Sequence, residues 1–317
     1  MYLISRISGD DFGYKMYWQR QYEKMDVYDA EKCLKRAYNS LIGGELDFNN
    51  PKTFDAKLQW LKLYDATPLK TICVDKYLVR NYIREKVGNS IKIVPLIGVW
   101  DNFDDIDFDS FPNRFVLKTN HGSGMNVLVK DKKEFDITDA RKKFDRWLKI
   151  NYALQGNFEM QYRDVTPKII AEEYLDELGG GLLNNYKFLC FGGKVHYCNV
   201  VAYTEVVPVH KGYEAFFDAD GNEVAVSGRS YEKFPNGFSL PDKYKDLINV
   251  AEKLSDGFSF VRVDLYLIKD DIYFGELTFT PKNGIHPYFG GEEAWEEKLL
   301  GDLIKLPEPY ILKMPLA

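Results

Sequence analysis

Two acidic residues, Asp264 and Glu276, lie in two apolar runs that are separated by a short polar segment. The β-branched and aromatic residues on both sides of that segment predict a β-hairpin over residues 260–284. If residues 269–271 form its loop, the two carboxylates face each other and project from one side of the hairpin. A two-residue loop would shift the pairing by one and place them on opposite sides. The loop length therefore decides whether these two residues can act together.

The three-residue loop also places Arg262 opposite Thr278, on the same side as the carboxylates. Two close carboxylates in an apolar hairpin need a cation, and hard divalent ions take oxygen ligands. The pattern therefore predicts a Mg²⁺ site with the guanidinium of Arg262 beside it. A half-exposed hairpin with a solvated acid pair is the alternative, and the spacing leaves both open.

A glycine-rich segment, NHGSGMN, separates two further apolar runs within residues 115–130. It is longer than a tight turn requires, and glycine lets backbone N–H groups close on an anion. Lys118 points towards it from the end of the first run. The pattern fits a hairpin that covers a phosphate and also a plain surface hairpin, which is the more common case in general. His121 is expected to be a hydrogen-bonding loop residue. The Walker and protein-kinase motifs are absent.

Composition limits the function classes. A chain of 317 residues can bury a large core as one enzyme-sized unit of two or three subdomains. A net charge of −6 and a pI near 5.4 argue against general nucleic-acid binding. The four cysteines lack CxxC spacing, so neither zinc nor a disulfide framework is predicted. No signal core or run of transmembrane length is present, and a cytoplasmic location is expected.

Hydrophobic periodicity and end signals predict the other elements. Helices are expected at residues 30–41, from the N-cap Thr53 onward, at 71–87 with Gly88 as its end, at 138–152, at 244–255 and after Gly290. Strands are expected at residues 91–94, 96–100 and 168–175, with a hairpin over 185–201 that turns at Gly192-Gly193.

The order of these pieces resembles the ATP-grasp superfamily. Six segments over roughly residues 50–290 are similar to its TupA-like (teichuronopeptide biosynthesis) family: FDAKLQWLKLYD, DKYLVR, LKTNHGSGMN, IIAEEYL, YKFLCFGGK and FVRVDLYL…IYFGELTFTP. The resemblance implies an α+β class ATP-grasp fold, in which two α+β subdomains hold the nucleotide between antiparallel sheets. The implied division is a helical N-terminal region over 1–70, a small subdomain over 71–175 and a large, metal-binding subdomain over 176–317.

The resemblance also implies roles for nucleotide-binding residues. Lys76 and Lys118 match the lysines that contact the ATP phosphates, and Lys187 matches a further lysine that reaches them. The loop that closes over the phosphates corresponds to Gly122, Ser123 and Gly124. The backbone segment that contacts adenine corresponds to Glu172, Glu173, Tyr174 and Leu175. Asn185 stands where relatives carry an acid that binds the ribose, so a weaker contact is expected.

On the hairpin, Asp264 and Glu276 match the carboxylates that bind Mg²⁺, with two ions expected. Thr278 replaces the usual asparagine ligand, which implies a looser or more hydrated site. Arg262 matches a residue that stabilises the transferring phosphoryl group, and with Lys118 it is assigned to catalysis. Residues 281–284 match the loop that faces the acyl acceptor.

This family chemistry implies that a carboxylate attacks the γ-phosphorus and that an amine displaces the resulting acyl phosphate. The expected enzyme is an ATP-dependent carboxylate–amine ligase that attaches an amino acid or amine to a uronic acid or acidic glycan. Its expected setting is bacterial cell-surface polysaccharide or capsule synthesis in the cytoplasm. Nucleic acid is not an expected partner, and peripheral association with a biosynthetic complex stays open.

Two other function classes compete with the ligase. A glycosyltransferase or glycan-binding protein would use a DxD-type metal motif, and residues 218–220 fit that triplet, although Gly221-Asn222 after it are typical of an ordinary turn. An ATP-grasp kinase with a hydroxyl acceptor is the intermediate alternative. Most ATP-grasp ligases carry an N-terminal α/β subdomain, and the sequence pattern predicts none here, so the acceptor site is left unassigned.

Overall fold

The structure is a computed structural model that describes residues 12–156, 158–175, 183–205, 211–227, 230–284, 294–310 and 315. The helices are α1 Phe12–Tyr22, α2 Val27–Leu41, α3 Phe54–Tyr64, α4 Pro68–Val74, α5 Val79–Val87, α6 Ile137–Trp147, α7 Tyr244–Ser255 and α8 Trp295–Leu303. The strands are β1 Leu96–Trp100, β2 Phe115–Thr119, β3 Asn126–Val129, β4 Ile169–Glu173, β5 Asn184–Phe191, β6 Lys194–Glu205, β7 Lys211–Asp218, β8 Glu232–Lys233, β9 Phe260–Ile268 and β10 Asp271–Thr278.

The strands form two sheets, which is the α+β architecture expected from the sequence. The small sheet has the order β1-β4-β2-β3 and is antiparallel throughout. The large sheet has the order β10-β9-β5-β6-β7-β8, and its β7–β8 pair is parallel. Its strands β10, β9 and β5 carry the candidate metal residues together with Arg262 and Lys187.

The two faces of the large sheet have different partners because side chains alternate along each strand. In β9, Val261 and Val263 face a core that includes α4, α5 and α7. Phe260 faces the opposite way, into a core that includes α2, α3 and α8. The side chains of Arg262 and Asp264 point to the same face of the sheet as Phe260. These polar residues therefore lie next to the core that includes α2, α3 and α8.

Local signals predicted several helices correctly. The Thr53 hydroxyl accepts from the N–H of Ala56 at the start of α3, as predicted. Helix α2 begins at Val27, after the cap Asp26, which is three residues before its predicted start. Helix α7 has the predicted bounds, Tyr244–Ser255. The prediction for 138–152 is too long, since α6 ends at Trp147.

The single helix predicted over 71–87 is wrong. Asp75 leaves the helical conformation, and its carboxylate accepts from the N–H groups of Tyr77 and Leu78 at 2.8 and 3.1 Å. This capping side chain competes with the helix and divides it into α4 and α5. Gly88 does end α5, with φ of 60°.

Two smaller expectations differ from the structure. Residues 91–94 contribute one β-bridge, between Lys92 and Tyr273, in place of a strand. The predicted helical tail after Gly290 is described from residue 294 onward as α8, and residues 285–293 lie outside the described part of the chain. None of the helices that the structure describes is long and apolar enough to cross a membrane.

Candidate active site between the two sheets

The β9–β10 hairpin has the pairing that the candidate metal site requires. Glu276 pairs with Asp264, and Thr278 pairs with Arg262, as predicted. Near the turn, however, Ile272 pairs with Leu267, because the loop is the two residues Lys269-Asp270. The predicted three-residue loop is therefore wrong, although the pairing it was used to derive is correct.

A β-bulge at Gly275 reconciles the short loop with this pairing. The register shifts between Phe274 and Glu276, so the one-residue offset at the turn is removed before the carboxylates are reached. A Cβ on Gly275 would lie 2.8 Å from the carbonyl oxygen of Asp264 and 3.0 Å from the Tyr266 ring. Only glycine allows so close an approach of the strands, and a glycine within a strand pattern is the usual signal of a bulge.

Arg262 joins the two carboxylates. Its Nη2 lies 2.8 Å from Asp264 Oδ2 and 2.8 Å from Glu276 Oε1, and its Nε lies 2.6 Å from Asp264 Oδ1. Nη2 also donates to the Thr278 hydroxyl at 3.0 Å, which in turn donates to Glu276 at 2.9 Å. The four side chains thus meet around one nitrogen atom.

Asp264 is the buried centre of this group, since its side chain is 1% exposed, against 56% for Glu276. Lys187, on the neighbouring strand β5, donates to Asp264 Oδ2 at 2.7 Å. Burial by itself raises the pKa of Asp264, but Arg262 and Lys187 hold it below its ordinary value. The carboxylate is therefore ionised at neutral pH.

This donor set fits Mg²⁺. Two carboxylates and a hydroxyl on adjacent strands offer only oxygen, and Mg²⁺ commonly binds one or two carboxylates together with water and phosphate oxygens. A positive group already lies between Asp264 and Glu276. No cluster of three or more Asp, Glu, His or Cys suited to a metal occurs among the described residues, so the protein would supply part of the coordination.

The break between α4 and α5 positions Lys76. Its backbone N–H donates to Asn120 O at 2.8 Å, and its ammonium donates to the carbonyl of Gly122. Asn120 is also tied to this break, because its side chain donates to Asp75 at 2.8 Å. Burial and the charge of Lys118 lower the pKa of Lys76 to about 8. The helix break therefore brings a lysine to the glycine-rich loop.

Lys118 projects from β2 into the same space but pairs with Glu172 on β4, at 2.5 Å. Arg80 from α5 binds the other oxygen of Glu172 at 3.3 Å. Glu172 is expected to contact adenine through its backbone, and its side chain also pairs with two cations in the site.

The glycine-rich loop is closely packed at its first glycine. Gly122 has φ of 71°, and a Cβ there would lie 2.3 Å from the Tyr152 ring. His121 is buried, with Nε2 3.0 Å from the carbonyl of Ile150. Burial and the charge of Lys76 lower its pKa to about 4, so this neutral ring anchors the loop, in agreement with the structural role expected for it.

A cavity of about 400 Å³ lies between the two sheets and collects most of these groups. Eight of the predicted site residues line it: Lys76, Lys118, Gly122, Ser123, Glu172, Arg262, Glu276 and Thr278. The others do not line it: Gly124, Glu173, Tyr174, Leu175, Asn185, Lys187 and Asp264.

The positions of these other residues differ. Asp264 is bonded to Arg262, which lines the cavity, and Lys187 is bonded to Asp264. Asn185 is buried and donates to the Tyr266 hydroxyl at 3.2 Å. Tyr174 lies under the guanidinium of Arg114, 4.3 Å from the ring centre.

The sequence interpretation missed several lining residues. Arg80, Glu159 and Thr280 line the cavity, and so do Tyr152 and Tyr162. No local motif marks Glu159, since its place in the cavity depends on contacts with Thr280, 121 residues along the chain. Gly275 is the exception, because a lone glycine in an apolar strand run could have been recognised as a bulge.

The model of the TupA-like ATPgrasp family matches residues 56–305. A search of curated proteins finds no match.

Solved structures with similarity to this chain include three ligases. D-alanine–D-alanine ligase from Bacillus anthracis complexed with ATP is 17% identical over 74% of this chain and 65% of that chain, with a TM-score of 0.40. The ATP-grasp ligase PsnB complexed with minimal precursor is 12% identical over 79% and 66%, with a TM-score of 0.40. Phosphoribosylamine–glycine ligase from Thermotoga maritima is 14% identical over 68% and 51%, with a TM-score of 0.42.

The chain thus spans about two thirds of the length of the first two of these structures and about half of the third. The family model covers most of this chain, from α3 to the end of α8. The chain belongs to the TupA-like ATP-grasp family.

Proposed function

We propose that the protein is an ATP-dependent ligase that activates a carboxylate as an acyl phosphate and joins it to an amine. One observation carries the proposal: Lys76, Lys118 and Arg262 converge with Glu276 in a single cavity between the two sheets. Family membership makes ATP the expected phosphoryl donor. The cavity also has the size of a small-molecule site, which is commonly about 300–1,000 Å³.

The cavity lining supports one direction for ATP. Val79, Ile93, Val94 and Phe274 make part of the lining apolar, which suits adenine. The family resemblance implies that the backbone of residues 172–175 holds the base, and of these residues Glu172 lines the cavity. The phosphates would then extend towards the cationic part of the cavity.

In this arrangement, Lys76 and the Gly122–Gly124 loop bind phosphate oxygens. Lys118 exchanges its bond with Glu172 for one with a phosphate, and Glu172 stays compensated by Arg80. Lys187 keeps Asp264 ionised from behind. Each charge-assisted hydrogen bond of this kind contributes roughly 1.5–3 kcal/mol.

The reaction has two steps. A carboxylate oxygen of the acid attacks the γ-phosphorus, and the bond to the bridging oxygen breaks with its electron pair going to ADP. The amine then attacks the acyl carbon, phosphate leaves, and the products are an amide, ADP and phosphate. Arg262, already bonded to both hairpin carboxylates, orients towards the transferring group and stabilises its charge. Mg²⁺, proposed as two ions on Asp264, Glu276 and Thr278, would neutralise phosphoryl oxygens when bound.

The finer identity of the substrates rests on the family resemblance. We propose a uronic acid or acidic glycan as the acid and an amino acid or other amine as the acceptor, in cell-surface polysaccharide synthesis in the cytoplasm. Aromatic residues make up 15% of the chain and leave rings available for sugar contact. From the same family resemblance we propose that the chain divides into a helical N-terminal region over residues 1–70 and two subdomains over residues 71–175 and 176–317.

The test is a screen in which uronic acids and pooled amino acids are incubated with ATP and Mg²⁺. ADP release is measured, and the products are identified by mass. The ligase proposal expects ADP release that depends on the acid and a product with the mass of an amide. A phosphate ester would instead identify a kinase, and ATP-independent sugar transfer would identify a glycosyltransferase.

The structure offers the glycosyltransferase alternative little support. The carboxylate of Asp218 accepts from the backbone N–H groups of Asp220 and Asn222 at 3.0 and 2.8 Å. Its second oxygen accepts from the Asn222 side chain at 2.9 Å. The DxD-like triplet is therefore a self-bonded turn after β7, as the following Gly-Asn predicted.

A further inference from the structure

The glycine-rich loop rests on a short segment of the chain that the proposed reaction leaves without a role. We name this segment, residues 149–155 after α6, the platform. The ring of Tyr152 packs against Gly122, at the position that a Cβ would take in any other residue. Nε2 of His121 lies 3.0 Å from the carbonyl of Ile150. The platform therefore holds two successive residues of the loop.

The part of the loop that the platform holds is its base, and the tip is open. His121 and Gly122 are buried, whereas Ser123 and Gly124 are exposed. A Cβ on Gly124 would meet nothing within 4 Å, and the ammonium of Lys76 donates to the carbonyl of Gly122. The position of the base therefore decides where Lys76 and the N–H groups of the tip meet a phosphate.

Tyr152 is itself fixed by neighbouring residues. Its ring meets the Tyr162 ring edge-on, with the ring centres 4.9 Å apart, which is a favourable arrangement for two aromatic rings. The preceding residue, Asn151, donates from its side chain to the carbonyl of Arg163 at 3.0 Å and accepts from the N–H of Ala153 at 3.2 Å. Packing and hydrogen bonds together therefore set the direction of the ring under the loop.

Helix α1 holds the platform from the other side through Gln19, which is buried. The Oε1 atom of Gln19 accepts from the N–H of Asn151 at 2.8 Å and from the side chain of Gln155 at 3.1 Å. The amide nitrogen of Gln19 donates to the carbonyl of Lys149 at 3.5 Å. Helix α1 lies before residues 56–305, the part that matches the family model, and still contacts the support of the glycine-rich loop.

These contacts act on ligand binding because a loop must occupy its binding position before it can hold a phosphate. If the base occupies that position for only a fraction of the time, the apparent dissociation constant rises by the inverse of that fraction. Removal of the Tyr152 ring takes away the packing of Gly122. Removal of the Gln19 oxygen leaves the N–H of Asn151 without this acceptor. Both changes affect the base and leave the proposed phosphate-binding groups in the chain.

We propose that the platform positions the glycine-rich loop for phosphate binding, with Tyr152 as its positioning residue and Gln19 of α1 as the support of the platform. The inference rests on the proposed phosphate-binding role of the loop and is independent of the acid and the amine. It makes α1 a part of the nucleotide site, although α1 contributes no residue to the lining of the cavity.

The first experiment compares ATP with adenosine, which has no phosphate for the loop to hold, by calorimetric titration. In Tyr152→Ala the dissociation constant for ATP rises about tenfold if the base keeps its position for about a tenth of the time. The dissociation constant for adenosine is unchanged. Tyr152→Phe retains the ring that packs on Gly122 and therefore binds ATP as the wild type does.

The second experiment tests the contribution of α1 by hydrogen exchange of residues 119–126. The N–H of Thr119 donates to the carbonyl of Met125 across the loop at 3.1 Å, so its exchange reports opening of the loop. In Gln19→Met this exchange is faster than in the wild type, and the dissociation constant for ATP rises about threefold if the base keeps its position a third of the time. Tyr152→Ala also exchanges faster in this segment.

Val250→Ala is the control for general loss of stability, since Val250 is buried in the core beside α7. This variant has a lower melting temperature, with the exchange of the loop and the ATP affinity of the wild type. All variants are compared below their own melting temperatures.

Three results overturn the role of Tyr152: unchanged ATP affinity in Tyr152→Ala, an equal loss of ATP and adenosine affinity, or an equal loss of ATP affinity in Tyr152→Phe. Unchanged loop exchange in Gln19→Met overturns the support from α1. If the wild type does not bind ATP, the proposed function fails, and the exchange results alone decide the platform. Unchanged loop exchange in Tyr152→Ala then overturns it.

Discussion

Arg262 has two physical roles that the structure places on one side chain. It compensates Asp264, which is fully buried, and it reaches the more exposed Glu276 through the same nitrogen. A purely structural partner would act on stability, whereas a group that stabilises the transferring phosphoryl acts on turnover. Lys187 also binds Asp264, so the buried charge keeps one partner when Arg262 is removed.

Arg262→Met is therefore expected to lower kcat at least ~100-fold, similar to the loss of an oxyanion donor. ATP affinity and melting temperature should change little, because Lys187 still compensates Asp264. Melting temperature, ATP affinity and turnover are measured on one preparation. Near-normal turnover would remove Arg262 from the mechanism, and a parallel fall in stability and metal affinity would make it a structural residue.

Lys76 is a candidate phosphate-binding residue whose charge changes close to neutral pH. Its pKa is lowered to about 8, so the free protein loses this charge as pH rises through that value. Bound phosphate favours the charged form, and binding above pH 8 must therefore take up a proton.

The dissociation constant for ATP is expected to rise as pH increases above 8, approaching roughly tenfold per pH unit. Lys76→Arg should bind ATP with little pH dependence over the same range, because arginine stays protonated. Calorimetric titrations at pH 7, 8 and 9 make the comparison. If the dissociation constant for ATP rises equally with pH in Lys76→Arg, a group other than Lys76 causes the pH dependence.

Among the elements, the β9–β10 hairpin depends on Gly275. The two-residue turn alone would place Asp264 and Glu276 on opposite faces, and the bulge restores the shared face. The carboxylate arrangement is therefore a property of turn and bulge together.

Gly275→Ala is expected to destabilise the protein by ~1–3 kcal/mol, because the added Cβ would lie 2.8 Å from the Asp264 carbonyl and must push the strands apart. Nucleotide affinity should fall as well, since Glu276 moves relative to Asp264. Urea unfolding and ATP titration measure the two effects. Gly13→Ala in α1, where a Cβ meets nothing within 4 Å, is the matched control and should not destabilise. Normal stability and affinity in Gly275→Ala would contradict the role of the bulge.

For the whole molecule, the site lies where two sheets and the α4–α5 break meet. The large sheet supplies Arg262 and Glu276, the small sheet supplies Lys118 and Glu172, and the break supplies Lys76. A ligand that contacts all three parts stabilises the folded state as a unit, by about 2.7 kcal/mol at a concentration 100 times its dissociation constant.

ATP should therefore raise the melting temperature, and Mg²⁺ should raise it further. In Glu276→Gln the increment from ATP alone should remain and the Mg²⁺ increment should be lost, because this exposed carboxylate is a proposed ligand. Glu232→Gln, an exposed change on β8 of the same sheet, should behave as the wild type. An undiminished Mg²⁺ increment in Glu276→Gln would place the metal elsewhere.

Features that depend on neighbouring residues could be predicted from the sequence. Strand alternation placed Arg262 and Asp264 on one face, and capping signals located the start of α3 and the end of α5. The glycine-rich loop was recognised from its composition. These features follow from backbone geometry over a few residues, and sequence order carries that information directly.

Features that depend on distant segments could not be predicted. The hairpin pairing was obtained from a wrong loop length, and the bulge at Gly275 corrected it. The bonds of Gln59 to the turn at Asn283, and of Thr280 to Glu159, join segments that are more than 100 residues apart. Such contacts depend on how packed elements bury their polar groups together, and no local pattern of residue types encodes that outcome.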